Sequence, residues 1–150
     1  MRLFNMLSLA AFVSSLCCRC YETNGNSTDT IGLSILLLGW MSIVGAEIAW
    51  LANPLWLLAI VLLFSVRKYE ADEHRMAKLV GGLFLSVFAT VCALSFYFQH
   101  STLGGSGPAG TQFEITAYLH GYYLWLAAPI LLFFDSTTQL VMGARGGTAD

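Results

Sequence analysis

From Ile31 to Val66 the chain reads IGLSILLLGWMSIVGAEIAWLANPLWLLAIVLLFSV, apolar throughout apart from Glu47 and the Asn53-Pro54 pair. As one helix this run would extend about 54 Å at 1.5 Å per residue, against a hydrocarbon core of about 30 Å. A single crossing leaves too much apolar chain in water. Asn53 can accept a backbone N–H as an N-cap, and Pro54 at the first helical position gives up a hydrogen bond that would be unmade anyway. The run therefore divides into spans at Ile31–Trp50 and Pro54–Tyr69, joined by a tight hairpin at the interface, where water satisfies the loose backbone groups.

Outward from this pair, a polar stretch from Arg67 to Lys78 precedes a third span, Leu79–Phe98, and a Gly-rich loop follows from Gln99 to Gly110. Thr111 and Glu114 match the Ser/Thr-x-x-Glu capping box and predict a last helix running to Phe134, about 34 Å long. On the other side, Leu3–Leu16 is apolar behind Arg2 and short for a span. A cleaved signal, a marginal first span and an interfacial helix all fit it. Residues 17–30 are a polar linker with Asn24, Gly25, Asn26 and Ser27 as turn formers. The expected fold is all-α: a membrane-embedded bundle of about four helices over residues 31–134. Residues 1–30 form an N-terminal apolar segment and linker, and 135–150 a short polar tail.

Composition leads to the same class. Hydrophobic residues make up 57% of the chain and charged ones 11%, whereas a soluble domain needs about 25% charged residues. The net charge of −2 and the lack of a basic cluster exclude a nucleic-acid footprint. The lipid bilayer is the expected partner. Lys and Arg concentrate in Arg67, Lys68, Arg75 and Lys78, which predicts that this loop faces the cytoplasm and the Gln99–Gly110 loop the outside. With four spans, the Asn53 hairpin then lies outside, the Cys17–Thr30 linker inside and the tail with Arg145 inside.

Small residues form stripes at helical spacing. Gly82, Ser86, Ala89 and Ala93 line one face of the third span, and Gly39, Ser42, Ala46 and Ala49 one face of the first. Helices in lipid associate by close packing, so these faces predict a seam within the bundle, or else a homo-oligomer contact. Glu47 is the carboxylate inside the apolar run, and an intramembrane acid is a candidate site by default. His100 and His120 come at the outer ends of the third and fourth spans, with Tyr122 one residue beyond Gly121. These four could converge on a ligand, and imidazole suits a metal or haem. The Cys17, Cys18 and Cys20 cluster lacks the second ligand pair that zinc needs, so no metal or cofactor is assigned. His-Glu-x-x-His, Gly-x-Ser-x-Gly and Walker motifs are absent from the sequence, and the chain reads as a non-enzyme.

Gly39-Trp40, Ala49-Trp50-Leu51-Ala52-Asn53-Pro54 and Gly121-Tyr122-Tyr123-Leu124-Trp125-Leu126 resemble small, uncharacterised bacterial multi-pass inner-membrane proteins. The resemblance covers roughly Leu38 to Leu126. It implies a bacterial inner membrane and carries over no activity, cofactor or functional residue. The functional expectation is an accessory or assembly partner of another membrane protein. A small solute or ion conduit is the alternative, and a metal- or haem-binding membrane protein a more distant one.

Overall fold

The computed structural model describes residues 3–24, 31–40, 48–66, 72–99, 101–103 and 112–146. Those residues are predominantly helical. The helices are α1 (Leu3–Cys17), α2 (Gly32–Leu38), α3 (Ala52–Ser65), α4 (Asp72–Ser95) and α5 (His120–Gly146). The short strands β1 (Tyr21–Thr23), β2 (Ser101–Leu103) and β3 (Gln112–Tyr118) form one antiparallel sheet in the order β1-β3-β2. The helical class stands, with the sheet added at one end.

Four helices form the core. The α1 seam is set by Asn5, Ser8, Phe12 and Ser15, all buried at alternating three- and four-residue steps, which place them on one side of a helix. Ser8 Oγ donates to the carbonyl of Ala128 at 2.7 Å, tying α1 to α5. Phe12 stacks on Trp56 of α3 with ring centroids 4.0 Å apart, and Trp56 Nε1 donates to Ser8 Oγ at 2.9 Å. Leu63 of α3 packs on Gly82 of α4. At the opposite end of that pair, Ala52 packs with Cys92 and Ala93. Tyr122, near the start of α5, donates its hydroxyl to the carbonyl of Ala93, near the end of α4. The helices α1, α3, α4 and α5 therefore alternate in direction. The sheet caps the end where α1 and α4 finish and α5 begins.

Several expectations are corrected. Ile31–Trp50 is not one straight span, because Trp50 Nε1 donates to the carbonyl of Leu36 at 3.1 Å. An unbroken helix would hold those residues about 21 Å apart. The segment expected to stand apart, α1, packs along α5 within the bundle. The linker also changes sides relative to the expectation: Tyr21 pairs with Tyr118 and Thr23 with Ile115, so β1 sits at the same end as β2 and β3.

Three local signals play other parts in the structure. The N-cap position of α3 is Leu51, without a side-chain cap, while Asn53 Oδ1 accepts the Trp125 indole N–H at 2.8 Å. Pro54 still falls in the first turn, where its missing N–H costs nothing. Helix α4 begins at Asp72, inside the stretch read as a polar loop; Glu73 suits the first turn of a helix, where the dipole favours negative charge. Glu114 is not a capping residue but the centre of β3, paired with Ser101. Helix α5 starts only at His120 and continues past Phe134 to Gly146.

Candidate functional site

Two groups of polar residues stand out, one at the sheet end and one within the bundle. At the sheet end, Tyr118 and Tyr122 lie 4.9 Å apart between ring centroids, and Phe96 contacts Tyr21, Tyr118 and Tyr122. The Tyr118 hydroxyl faces the carbonyls of Phe96, Tyr97 and Gln99 at 2.9, 3.3 and 3.0 Å. Its single proton is donated to one of these carbonyls at a time, at the end of α4, where the last carbonyls lack intrahelical partners; that of Phe96 also accepts the Gln99 N–H. Burial raises the pKa of Tyr118, and the neighbouring Tyr97 and Tyr123 phenols add to the rise. Cys20 is buried beside this cluster. Burial, reinforced by Cys18, pushes its thiol up to about 12, so at neutral pH it stays a protonated, unreactive thiol.

The expected outer constellation is only partly visible. Glu47 and His100 lie outside the described residues, as do Ser42 and Ala46. His120 is exposed at the start of α5, whereas Tyr122 points into the core with its hydroxyl on Ala93. Two residues apart on one helix, these side chains take different faces and do not converge. Among the described residues no group of three or more His, Cys, Asp or Glu side chains could hold a metal.

The small-residue positions are placed as follows. Gly82, Ser86, Ala89 and Ala93 are buried within the bundle, where a Cβ on Gly82 would meet Leu63 Cδ2 at 2.7 Å. Gly39 lies against the Trp50 ring. Ser86 Oγ donates to the carbonyl of Leu83 at 2.8 Å.

The interior of the bundle holds polar residues that sequence reading passed over. Asn5, Ser8 and Ser15 on α1 are buried together with Asp135 and Ser136 on α5. Asp135 is only 3% exposed, accepts a hydrogen bond from the Gln139 amide and lies about 22 Å along α5 from His120. The sequence reading places it in the polar tail because that reading ends the helix at Phe134, whereas α5 runs to Gly146. The signal that could have found Asn5 is its spacing from Ser8 and Ser15, which puts three polar groups on one side of an otherwise apolar segment.

No protein-family model, curated protein or solved structure matches this chain.

Proposed function

We propose that this chain is a membrane-embedded bundle in which α1, α3, α4 and α5 cross the bilayer, and that it serves as a non-enzymatic accessory or assembly partner of another membrane protein. The observation that carries the membrane reading is an inverted polarity. The outward faces of the helices are large and apolar: Leu57, Leu58 and Val61 on α3, Phe84, Phe88 and Val91 on α4, Phe134 and Met142 on α5. Inward faces carry Ser8, Ser15, Ser86 and Ser136. Water would penalise such an exterior, and lipid does not. Glu73–Phe98 and His120–Met142 are long and apolar enough to cross. At 15 residues, α1 reaches about 22 Å, and α3 with the preceding 3-10 turn about 26 Å. Local thinning of the bilayer accommodates helices of that length.

Orientation follows from charge. Of seven Lys and Arg, Arg2 precedes α1, Arg67 and Lys68 follow α3, Arg75 and Lys78 open α4 and Arg145 closes α5. Among the described Lys and Arg residues, only Arg19 lies at the sheet end. The basic end is cytoplasmic by the positive-inside rule, and the sheet faces the outside of a bacterial inner membrane. Reporters fused after Asn24 and after Ser106 are both expected to read external, and one after Tyr69 cytoplasmic. Opposite readings at Asn24 and Ser106 would break the arrangement.

The accessory role is supported by the sheet, in which β2 pairs, among the described residues, with β3 alone. A strand edge of this kind is a ready template for another chain. Affinity purification from native membranes should recover a membrane protein in fixed proportion. Recovery of the chain alone, or only with copies of itself, would sink the assembly role.

A further inference from the structure

Away from the bundle, α1 presents Leu3, Leu7, Ala10, Ser14 and Cys17, all of them exposed. They follow one another at alternating four- and three-residue steps, so they share one face. On a helical wheel that face lies opposite Asn5, Ser8, Phe12 and Ser15, which are buried against the rest of the chain. The small residues Gly82, Ser86, Ala89 and Ala93 of α4 are buried inside the chain and cannot meet a neighbour. The face of α1 is open to one.

Ser14 distinguishes this face from a plain lipid-facing surface. Ser15, Ser86 and Ser136 each donate to a carbonyl of their own helix, and Ser8 donates to α5. Among the described residues Ser14 makes no hydrogen bond, although its side chain is exposed on a helix whose outward face is otherwise apolar. In a bilayer a hydroxyl without a partner is costly. A hydroxyl both donates and accepts, so two copies of Ser14 brought together provide for each other. The same face therefore complements itself, as a twofold interface requires.

We propose that α1 is the interface of a parallel homodimer, in which Leu3, Leu7, Ala10, Ser14 and Cys17 pack against the same residues of a second copy across a twofold axis along the membrane normal. All copies cross a membrane in one direction, so each residue of the face meets its own counterpart at the same depth. None of the five is charged, and like residues meet there without repulsion. Ala10 and Ser14 let the two backbones approach, which is how helices associate in lipid. Their four- and three-residue spacing with Leu3 and Leu7 is the seam of a left-handed helix pair. Length favours the same arrangement, because α1 reaches only about 22 Å and a short span lowers its mismatch with the bilayer by associating.

Cys17 ends the face and reports on it. Native membranes holding the full chain are oxidised with copper phenanthroline and resolved on a non-reducing gel. A disulfide-linked dimer is expected for wild type and Cys18→Ser, and none for Cys17→Ser. A dimer band of equal strength in Cys17→Ser would overturn the interface. The purified protein gives a second reading by sedimentation in detergent micelles over a range of concentrations. Ser14→Ile places a branched side chain where the two backbones meet and is expected to raise the dimer dissociation constant about tenfold or more. Leu57→Ala, on the outward face of α3, should leave that constant unchanged. A wild type that stays monomeric at every concentration, or an equal loss in both variants, would overturn the interface as well. The proposal rests on the membrane reading, which carbonate extraction of native membranes tests by itself. A chain that resists carbonate yet stays monomeric sinks the interface alone, and one released by carbonate sinks the membrane reading and the parallel arrangement with it.

Discussion

Gly121→Ala will lower the melting midpoint of the purified protein by about 5–10 °C, more than Gly82→Ala, although an added Cβ meets its nearest neighbour at 2.7 Å in both. The difference lies in what that neighbour is. At Gly121 it is the backbone carbonyl oxygen of Arg19, with the Cys18 carbonyl oxygen next at 3.0 Å. Neither can turn away without moving the end of α1. That movement would also strain the Gly121 N–H bond to Arg19 and the Leu119 N–H bond to Cys20, 3.0 and 2.8 Å long, and with them the pairing of β1 on β3. At Gly82 the neighbour is the end of the Leu63 side chain, which can change rotamer. The backbone clash should cost about 3 kcal/mol and the side-chain clash about 1 kcal/mol. Val91→Leu, on the outward face of α4, serves as the control and should leave the midpoint unchanged. A Gly121→Ala protein that melts with wild type would mean that α1 and α5 do not meet as closely as described.

That junction was not legible in the sequence, and the reason is physical. Hydropathy reports which segments avoid water, and it found the apolar segments that became α1, α3, α4 and α5. It does not report which of two apolar segments packs along α5. Leu3–Leu16 and Ile31–Trp50 are comparably apolar, and length favours the second, yet Trp50 bonds the Leu36 carbonyl, which one unbroken helix would hold far from it. The deciding information lies in long-range pairs, such as Tyr21 with Tyr118, that no local pattern carries.

The strand β3 was legible and was missed. Gln112-Phe113-Glu114-Ile115-Thr116-Ala117-Tyr118 alternates polar and apolar side chains at a period of two, which is a strand signature. The capping-box match at Thr111 and Glu114 outweighed it because a helix was expected to follow, and one does, but only from His120. Asp135 was hidden for the opposite reason. Asp135, Ser136, Thr137 and Thr138 look like a polar tail in sequence. In the structure the helix absorbs the hydroxyls: Ser136, Thr137 and Thr138 each donate to the carbonyl four residues back. Such back-bonding lets polar residues continue a helix into an apolar surround.

Trp56→Ala is expected to cost about 3–5 kcal/mol of stability, the largest loss from any single truncation in the bundle. Trp56 is 4% exposed and joins three helices: it belongs to α3, stacks on Phe12 of α1, and reaches α5 through Ser8, which passes the hydrogen bond on to the Ala128 carbonyl. Removing the ring opens a cavity between Phe12 and the backbone of α3 and also leaves Ser8 without its donor. Trp56→Phe separates the two effects. It keeps a six-membered ring for the stack and removes the indole N–H together with the rest of the five-membered ring, so its cost should fall between about 1 kcal/mol for the lost hydrogen bond and that of the full truncation. Ser8→Ala should cost more than Trp56→Phe, because it strands the indole N–H in the core and frees the Ala128 carbonyl as well. Unfolding of the three variants by denaturant in mixed micelles measures the order directly. Should Trp56→Phe prove as damaging as Trp56→Ala, hydrogen bonding rather than ring packing would be what holds α1 into the bundle.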